Sequence, residues 1–128
     1  MTVDVVRRIE EQASSRPDAV AVEFEGSALT YEELDERSSR LAQHLIRRGA
    51  GPEVLVGLCV DRSLELVVGV LGILKAGAAF LPLDPGYPAD RLAFMVDDSA
   101  VGLVLSRRHL DGSLPSSVTE VVDLDDLS

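Results

Sequence analysis

Residues 74–92 read LKAGAAFLPLDPGYPADRL, and this segment is the most informative part of the chain about its fold. It contains a helix end, a glycine stop, an apolar strand over Ala78–Leu83, a proline-rich loop over Asp84–Pro88 and a new helix. An uninterrupted apolar strand is typical of strands that are buried on both faces of a parallel sheet. We expect Pro88 at the first position of the new helix, which continues to about Asp98.

Helical and apolar periodicities extend the same pattern in both directions along the chain. They predict helices over Val3–Ala13, Tyr31–Arg48 and Leu64–Ala76, strands over Ala19–Phe24, Val54–Val60, Val101–Leu105 and Val118–Val122, and a brief strand at Ala28–Leu29. A short helical or turn segment over Arg107–Gly112 and an acidic tail over residues 123–128 complete the chain. Because strands alternate with helices, we expect one α/β domain over residues 1–128, with a mainly parallel sheet and helices on both faces.

The helix over Tyr31–Arg48 has unusually clear boundaries. Thr30 is followed three residues later by Glu33, which is the spacing of a capping box. Leu29 and Leu34 stand at the positions of a hydrophobic staple, and Gly49 suits a left-handed C-terminal residue.

Two further helices are predicted to contribute to the core. The helix over Leu64–Ala76 is apolar almost all round, so we expect it to be largely buried, with Gly69 and Gly72 allowing close packing. In the helix after Pro88, we expect the apolar residues to make core contacts; they are Leu92, Phe94, Met95 and Val96.

Composition excludes several classes of function. The chain has 128 residues and a net charge of -10, which argues against nucleic acid or an anionic membrane as its main partner. One cysteine cannot form an intramolecular disulfide, and no apolar run is long and uncharged enough to span a membrane. We therefore expect a cytoplasmic protein.

The chain offers few candidates for catalysis. Cys59 lies in an apolar strand and is expected to be an inert thiol, and His44 and His109 are isolated. Lys75 is the only lysine; it can pair with a phosphate or a carboxylate, and we favour a structural role at its helix end. No glycine-rich phosphate loop of a known pattern occurs, and the acids after residue 122 are typical of a solvated tail. We predict no catalytic, cofactor-binding or metal-binding residue.

The stretch over residues 74–92 closely resembles the second core motif of the adenylation domains of nonribosomal peptide synthetases. Leu29–Leu34, which reads LTYEEL, resembles the first core motif of the same family. The segments GPEVLVGLCV at 51–60 and RSLEL at 62–66 also look like this family. The resemblance extends from the first helix to at least Leu105, which is nearly the whole chain.

The resemblance implies a role connected with the ATP-dependent activation of a carboxylic acid and its transfer to a carrier-protein thiol. In that family, the phosphate-binding loop, the amino-acid pocket and the other catalytic elements come later in the sequence than the two motifs found here. We therefore expect a truncated N-terminal portion of an adenylation domain that adenylates nothing by itself.

Three functions follow from this expectation. The first is a non-catalytic interaction or scaffolding module in nonribosomal peptide biosynthesis. The second is a fragment of a split adenylating enzyme that a second chain completes, and the third is a small-molecule binding domain. A piece excised from a longer enzyme is a further possibility. The partners implied are an MbtH-like protein, another synthetase domain, a tailoring enzyme or a second copy of the chain.

The resemblance also implies a docking surface. Many adenylation domains bind an MbtH-like protein near the second core motif, which here places the surface at Tyr87, Pro88, Ala89, Arg91 and Leu92. Proline would rigidify such a surface, so that little entropy is lost on binding. The alternative interpretation is that this segment is only the beginning of a helix.

Overall fold

The computed structural model describes residues 2–107, 110, 114–115, 118 and 120–127. Its elements are α1 (Thr2–Ser15), β1 (Val20–Phe24), β2 (Ser27–Thr30), α2 (Tyr31–Arg47), β3 (Leu55–Cys59), α3 (Leu64–Lys75), β4 (Ala79–Pro82), α4 (Ala89–Ser99), β5 (Leu103–Ser106), β6 (Glu120–Asp123) and a 3-10 turn (Leu124–Leu127). Most of the predicted segment over 107–112, including His109, lies outside the described residues.

The main sheet is parallel throughout and has the strand order β4-β3-β5-β6. β1 and β2 form a separate antiparallel hairpin. The order corresponds to the first four strands of the doubly wound arrangement 2-1-3-4-5, in which the chain starts at a central strand and reverses direction once. The predicted α/β class with a mainly parallel sheet is thus confirmed.

Helices cover both faces of this sheet. On one face, α2 and α3 contribute to a large apolar cluster; its most buried members include Leu34, Leu41, Leu45, Val56, Ile73 and Leu105. On the other face, α4 contributes to a smaller cluster that contains Cys59, Leu83, Leu92, Val96, Val101 and Val104. The arrangement of helices on both faces therefore agrees with the sequence pattern.

The predicted boundaries of α2 are confirmed in atomic detail. The Thr30 hydroxyl accepts a hydrogen bond from the backbone of Glu33 at 3.2 Å, and the Glu33 carboxylate accepts one from the backbone of Thr30 at 2.9 Å. At the other end, Gly49 has a φ of +102°, and Ala50 donates to the carbonyl of Leu45 at 3.0 Å. These bonds satisfy backbone groups that a helix end otherwise leaves without partners.

A close contact between two helices lies where Gly72 of α3 meets Leu41 of α2. A Cβ atom added at Gly72 would lie 2.5 Å from Cδ2 and 2.7 Å from Cγ of Leu41. Leu41 is 1% exposed, so its side chain has no free space to move into. The glycine therefore allows close packing, as the sequence predicts.

Three expectations about burial need correction. β4 is less buried than predicted because it is the outermost strand, and α3 is half-exposed at Leu66 and Val70. The predicted acidic tail is partly structured: Asp123 ends β6, Leu124 is 4% exposed, and the Asp125 carboxylate accepts a hydrogen bond from Arg107. Leu124, an apolar residue between two aspartates, attaches this segment to the core.

We expect Gly72→Ala to lower the free energy of unfolding by about 1–3 kcal/mol, because overpacking against Leu41 exceeds the gain in helix propensity of at most ~1 kcal/mol. Gly69→Ala is the matched control, since the closest atom there is a terminal methyl group of Leu58. We expect a smaller loss for the control. Urea denaturation measures both, and a Gly72→Ala chain as stable as the wild type would contradict the close contact.

Candidate functional site

The loop after β4, over residues 84–88, is ordered by its own first residue. The Asp84 carboxylate accepts a hydrogen bond from the backbone of Gly86 at 2.8 Å, and the Asp84 carbonyl accepts one from Tyr87 at 3.0 Å. Just before the loop, Leu83 donates to Leu58 at 2.9 Å, which ties the end of β4 to β3. The loop is thus held at both its backbone and its side chains, as expected for a rigid surface element.

Pro88 caps α4 instead of occupying its first turn, so the predicted position is wrong by one residue. Its backbone is extended, with φ -57° and ψ 149°, and the helix begins at Ala89. The Pro88 carbonyl accepts hydrogen bonds from Arg91 at 3.0 Å and Leu92 at 3.1 Å. Proline has no backbone N–H, and the N–H of a cap residue is not needed by the helix that it begins.

Four of the five predicted docking residues lie at the surface. Pro88, Ala89 and Arg91 are exposed and Tyr87 is half-buried, with the Arg91 guanidinium 4.1 Å from the centre of the Tyr87 ring. Such cation–π contacts hold a flexible arginine in place. The prediction that Leu92 belongs to the docking surface is wrong. Leu92 is 1% exposed and packs in the α4-side core.

Phe94 is the surface residue that the sequence analysis missed. We expected it in the core, but 67% of it is exposed. Helical spacing predicts this exposure. Leu92 and Val96 are four residues apart and both buried, so Phe94, midway between them, faces the opposite side of the helix. Phe94 follows Arg91 by three residues and therefore shares its face of α4. We call the half-buried Tyr87 and the exposed Pro88, Ala89, Arg91 and Phe94 the α4 surface.

An apolar crevice lies on the other side of the same loop, at the carboxyl ends of β3 and β4. Its volume is about 630 Å3, and its walls include Leu66, Val70 and Phe80. Asp61 and Arg62 contribute charged groups to its lining. In open α/β sheets, ligands usually bind beyond the carboxyl ends of the strands, so the crevice is the second candidate surface.

Lys75 has the structural role that the sequence analysis favoured. Its ammonium group lies 2.5 Å from the Asp35 carboxylate and 2.9 Å from the Ser39 hydroxyl. The Lys75 side chain is 7% exposed, and its partners belong to α2. The ion pair therefore joins α3 to α2 close to the Gly72 contact.

Arg107 is also engaged in ion pairs. It donates to Asp125 at 3.2 Å and lies 3.7 Å from a Glu65 oxygen, while Glu65 also lies 4.0 Å from Arg37. This group joins α2, α3, β5 and the last turn at the carboxyl end of the sheet. Its charges are only partly exposed, so the network is expected to position the C-terminal turn.

Cys59 is fully buried in β3, and burial raises the pKa of its thiol to about 11; the negative charges of Asp84 and Asp61 act in the same direction. Only a thiolate is a good nucleophile, so the group is inert at neutral pH. His44 lies half-buried on α2. Over the described ranges, no group of three or more potential ligands could hold a metal ion.

The described helices include none that is long and apolar enough to cross a membrane.

Comparisons with known proteins identify the family. Residues 9–128 match the family model described as AMP-binding enzyme. The chain is 51% identical over 120 residues to tyrocidine synthase 3 of Brevibacillus parabrevis and 49% identical over 121 residues to the dimodular nonribosomal peptide synthase of Bacillus subtilis. The chain therefore belongs to the AMP-binding enzyme family, and its resemblance to adenylation domains of nonribosomal peptide synthetases is confirmed.

Solved structures agree with this assignment. The synthetase FmoA3, crystallised with α-methyl-L-serine-AMP, matches with a TM-score of 0.88 at 36% identity over 94% of this chain. The N-terminal subdomain of NpsA from Klebsiella oxytoca matches with a TM-score of 0.83 at 26% identity over 96% of this chain.

The shared region is a small part of each relative. It makes up 2% of tyrocidine synthase 3 and 5% of the dimodular synthase. It makes up 14% of the FmoA3 chain and 31% of the NpsA subdomain.

We expect the raised pKa of Cys59 to make stability depend on pH above about 9. Because burial raises the pKa of the thiol from 9.0 to about 11, the protonated thiol contributes fully to stability below pH 9, and this contribution is lost as the pH rises towards 11. Urea denaturation between pH 8 and 11 should show a decline that is smaller in Cys59→Ala, after normalising both chains at pH 8. Identical pH dependence in the two chains would contradict the proposed burial of the thiol.

Proposed function

We propose that the chain is a non-catalytic interaction and scaffolding part of an amino-acid adenylation unit in nonribosomal peptide synthesis. The observation that carries the proposal is the fold match to FmoA3, a synthetase crystallised with an aminoacyl adenylate, at a TM-score of 0.88. The matched region makes up 14% of the FmoA3 chain, so the activity of the whole synthetase is not assigned to this chain.

The internal ion pairs support a scaffolding role. Transfer of an adenylyl group needs cations aimed at the phosphates of ATP. Here Lys75, Arg107 and Arg48 instead bind carboxylates: Lys75 binds Asp35, Arg107 binds Asp125, and Arg48 binds Glu120. These cations hold elements of the fold together.

The α4 surface supports an interaction role. A rigid loop, a fixed Arg91–Tyr87 pair and an exposed Phe94 combine features that are common at protein interfaces. The proposed partner is an MbtH-like protein or another synthetase domain, as the family resemblance implies. Ala89 is exposed in the first turn of the helix, where a partner's aromatic ring could approach the backbone closely.

A second candidate function is a fragment of a split adenylating enzyme. The half-exposed apolar crevice favours it, since Leu66, Val70 and Phe80 would be covered by the remaining part of an adenylation domain. A small-molecule binding domain would use the same crevice, and it would bind an amino acid or AMP without any partner.

We expect amino-acid-dependent ATP–pyrophosphate exchange by the purified chain to stay at background for every proteinogenic amino acid. A complete adenylation domain assayed in parallel is the positive control. Exchange above background by the chain alone would contradict the non-catalytic role. Exchange that appears only when the remaining part of an adenylation domain is added would instead support the split-enzyme function.

We expect Ala89→Arg to reduce co-purification with the MbtH-like protein of the same pathway at least about tenfold, because a long charged side chain would occupy the contact. The matched control is Ala28→Arg, which places the same side chain at an exposed position on β2. Both variants should fold like the wild type by circular dichroism. Wild-type stoichiometry with Ala89→Arg would show that the partner does not bind the α4 surface.

A further inference from the structure

The two edges of the main sheet differ in their ability to accept another strand. At the β4 edge, Ala79 donates to Val54 at 3.1 Å and Leu83 donates to Leu58 at 2.9 Å, so alternate residues from Ala79 onward face β3. Pro82 therefore faces outwards, where it offers no N–H. Proline at such a position prevents edge-to-edge pairing.

The β6 edge has no such block. Glu120 donates to the carbonyl of Gly102 at 3.1 Å, which turns its backbone towards β5. Because backbone groups alternate along a strand, the N–H and C=O of Val121 point away from β5. Val121 is also 40% exposed, and β6 is the outermost strand of the described sheet on this side.

A groove beside this edge can receive side chains. It has a volume of about 370 Å3, and its lining residues are Leu114, Pro115, Val118, Val121 and Asp123. Leu114 and Val118 also pack against the α4-side core, so the groove is continuous with a buried cluster. A strand placed next to β6 would therefore extend both the hydrogen-bonded sheet and its apolar layer.

The strand order indicates on which side the sheet grows. The order β4-β3-β5-β6 corresponds to 2-1-3-4, and in this arrangement the fifth strand lies beside the fourth. We propose that β6 accepts a fifth parallel strand, supplied by an extended segment of a partner polypeptide. Alternate apolar side chains of that segment occupy the groove, and basic residues flank them.

Charge favours a basic partner over a second copy of this chain. The net charge of the chain is -10. At one end of β6, Glu120 pairs with Arg48. At the other end, the Asp123 carboxylate accepts a hydrogen bond from the backbone of Asp125, so it is the net charge of the whole chain that favours a basic partner. Two such chains would repel each other, whereas a segment with arginine or lysine at its ends is attracted. The proposal rests on the interaction role proposed above but uses a surface separate from the α4 surface, so the two can be tested separately.

The test uses the whole chain and a synthetic peptide as the probe. The peptide has about nine residues, a usual strand length, with valine and threonine alternating between two terminal arginines. We expect it to slow hydrogen exchange of the Val121 amide at least about tenfold and to leave the β4 amides unchanged. The same peptide with glutamate in place of arginine should bind at least about tenfold more weakly.

Two variants test the hydrogen bonds directly. Val121→Pro removes the outward N–H without removing a bond to β5, and we expect at least about tenfold weaker binding, while Val121→Thr keeps the N–H and should bind like the wild type. If Val121→Pro does not fold, a peptide that is N-methylated at alternate residues is used instead. It lacks the N–H groups that would donate to the carbonyl groups of β6. Equal binding by the N-methylated peptide would overturn the proposal.

Three other results would also overturn it. The first is no slowing of Val121 exchange at millimolar peptide, and the second is slowing at β4 instead. The third is a chain that is dimeric by sedimentation with its Val121 amide already protected, because the occupant would then be a second copy. None of these results depends on pyrophosphate exchange or on the partner that binds the α4 surface.

Discussion

The close contact between α2 and α3 determines how the helical layer packs on the sheet. Gly72 lets Leu41 approach the backbone of α3, and the Lys75–Asp35 ion pair joins the same two helices one turn further on. With the two helices held together, α3 lies against β3 and β5 and covers the centre of this face of the sheet. A larger residue at Gly72 would separate the helices and loosen this layer.

The sequence was sufficient for the fold because local signals and the apolar pattern agree. Thr30 and Glu33 determine where α2 begins, and the uninterrupted apolar run around β3 identifies a central parallel strand. The failures for β4 and Phe94 have different causes: an apolar run does not show whether a strand lies at the edge of its sheet, and the expectation for Phe94 follows its apolar character instead of its helical spacing from Leu92 and Val96. β4 is apolar yet outermost, and Phe94 is apolar yet exposed.

The candidate site could be predicted only in part, for a related physical reason. The proline-rich loop identifies a rigid segment, and the structure holds it through Asp84. The sequence predicts Leu92 both among the core contacts of α4 and, through its motif, among the docking residues; the structure supports the core contact, in agreement with its four-residue spacing from Val96. Helical spacing thus separates the two roles more reliably than membership of a motif does. The β6 edge required the strand order, which no local pattern contains.

Pro82 lies between the β4 edge of the sheet and the loop that leads to the α4 surface. Pro82 ends β4 and precedes the loop that positions the α4 surface, and it also removes the outward N–H from this edge of the sheet. Pro82 thus closes the edge of the sheet next to the loop, which leaves β6 as the side where the sheet can grow. The chain matches only a small part of each of its large relatives. The difference between the β4 and β6 edges therefore determines on which side a further strand can pair with the sheet without competing with the α4 surface.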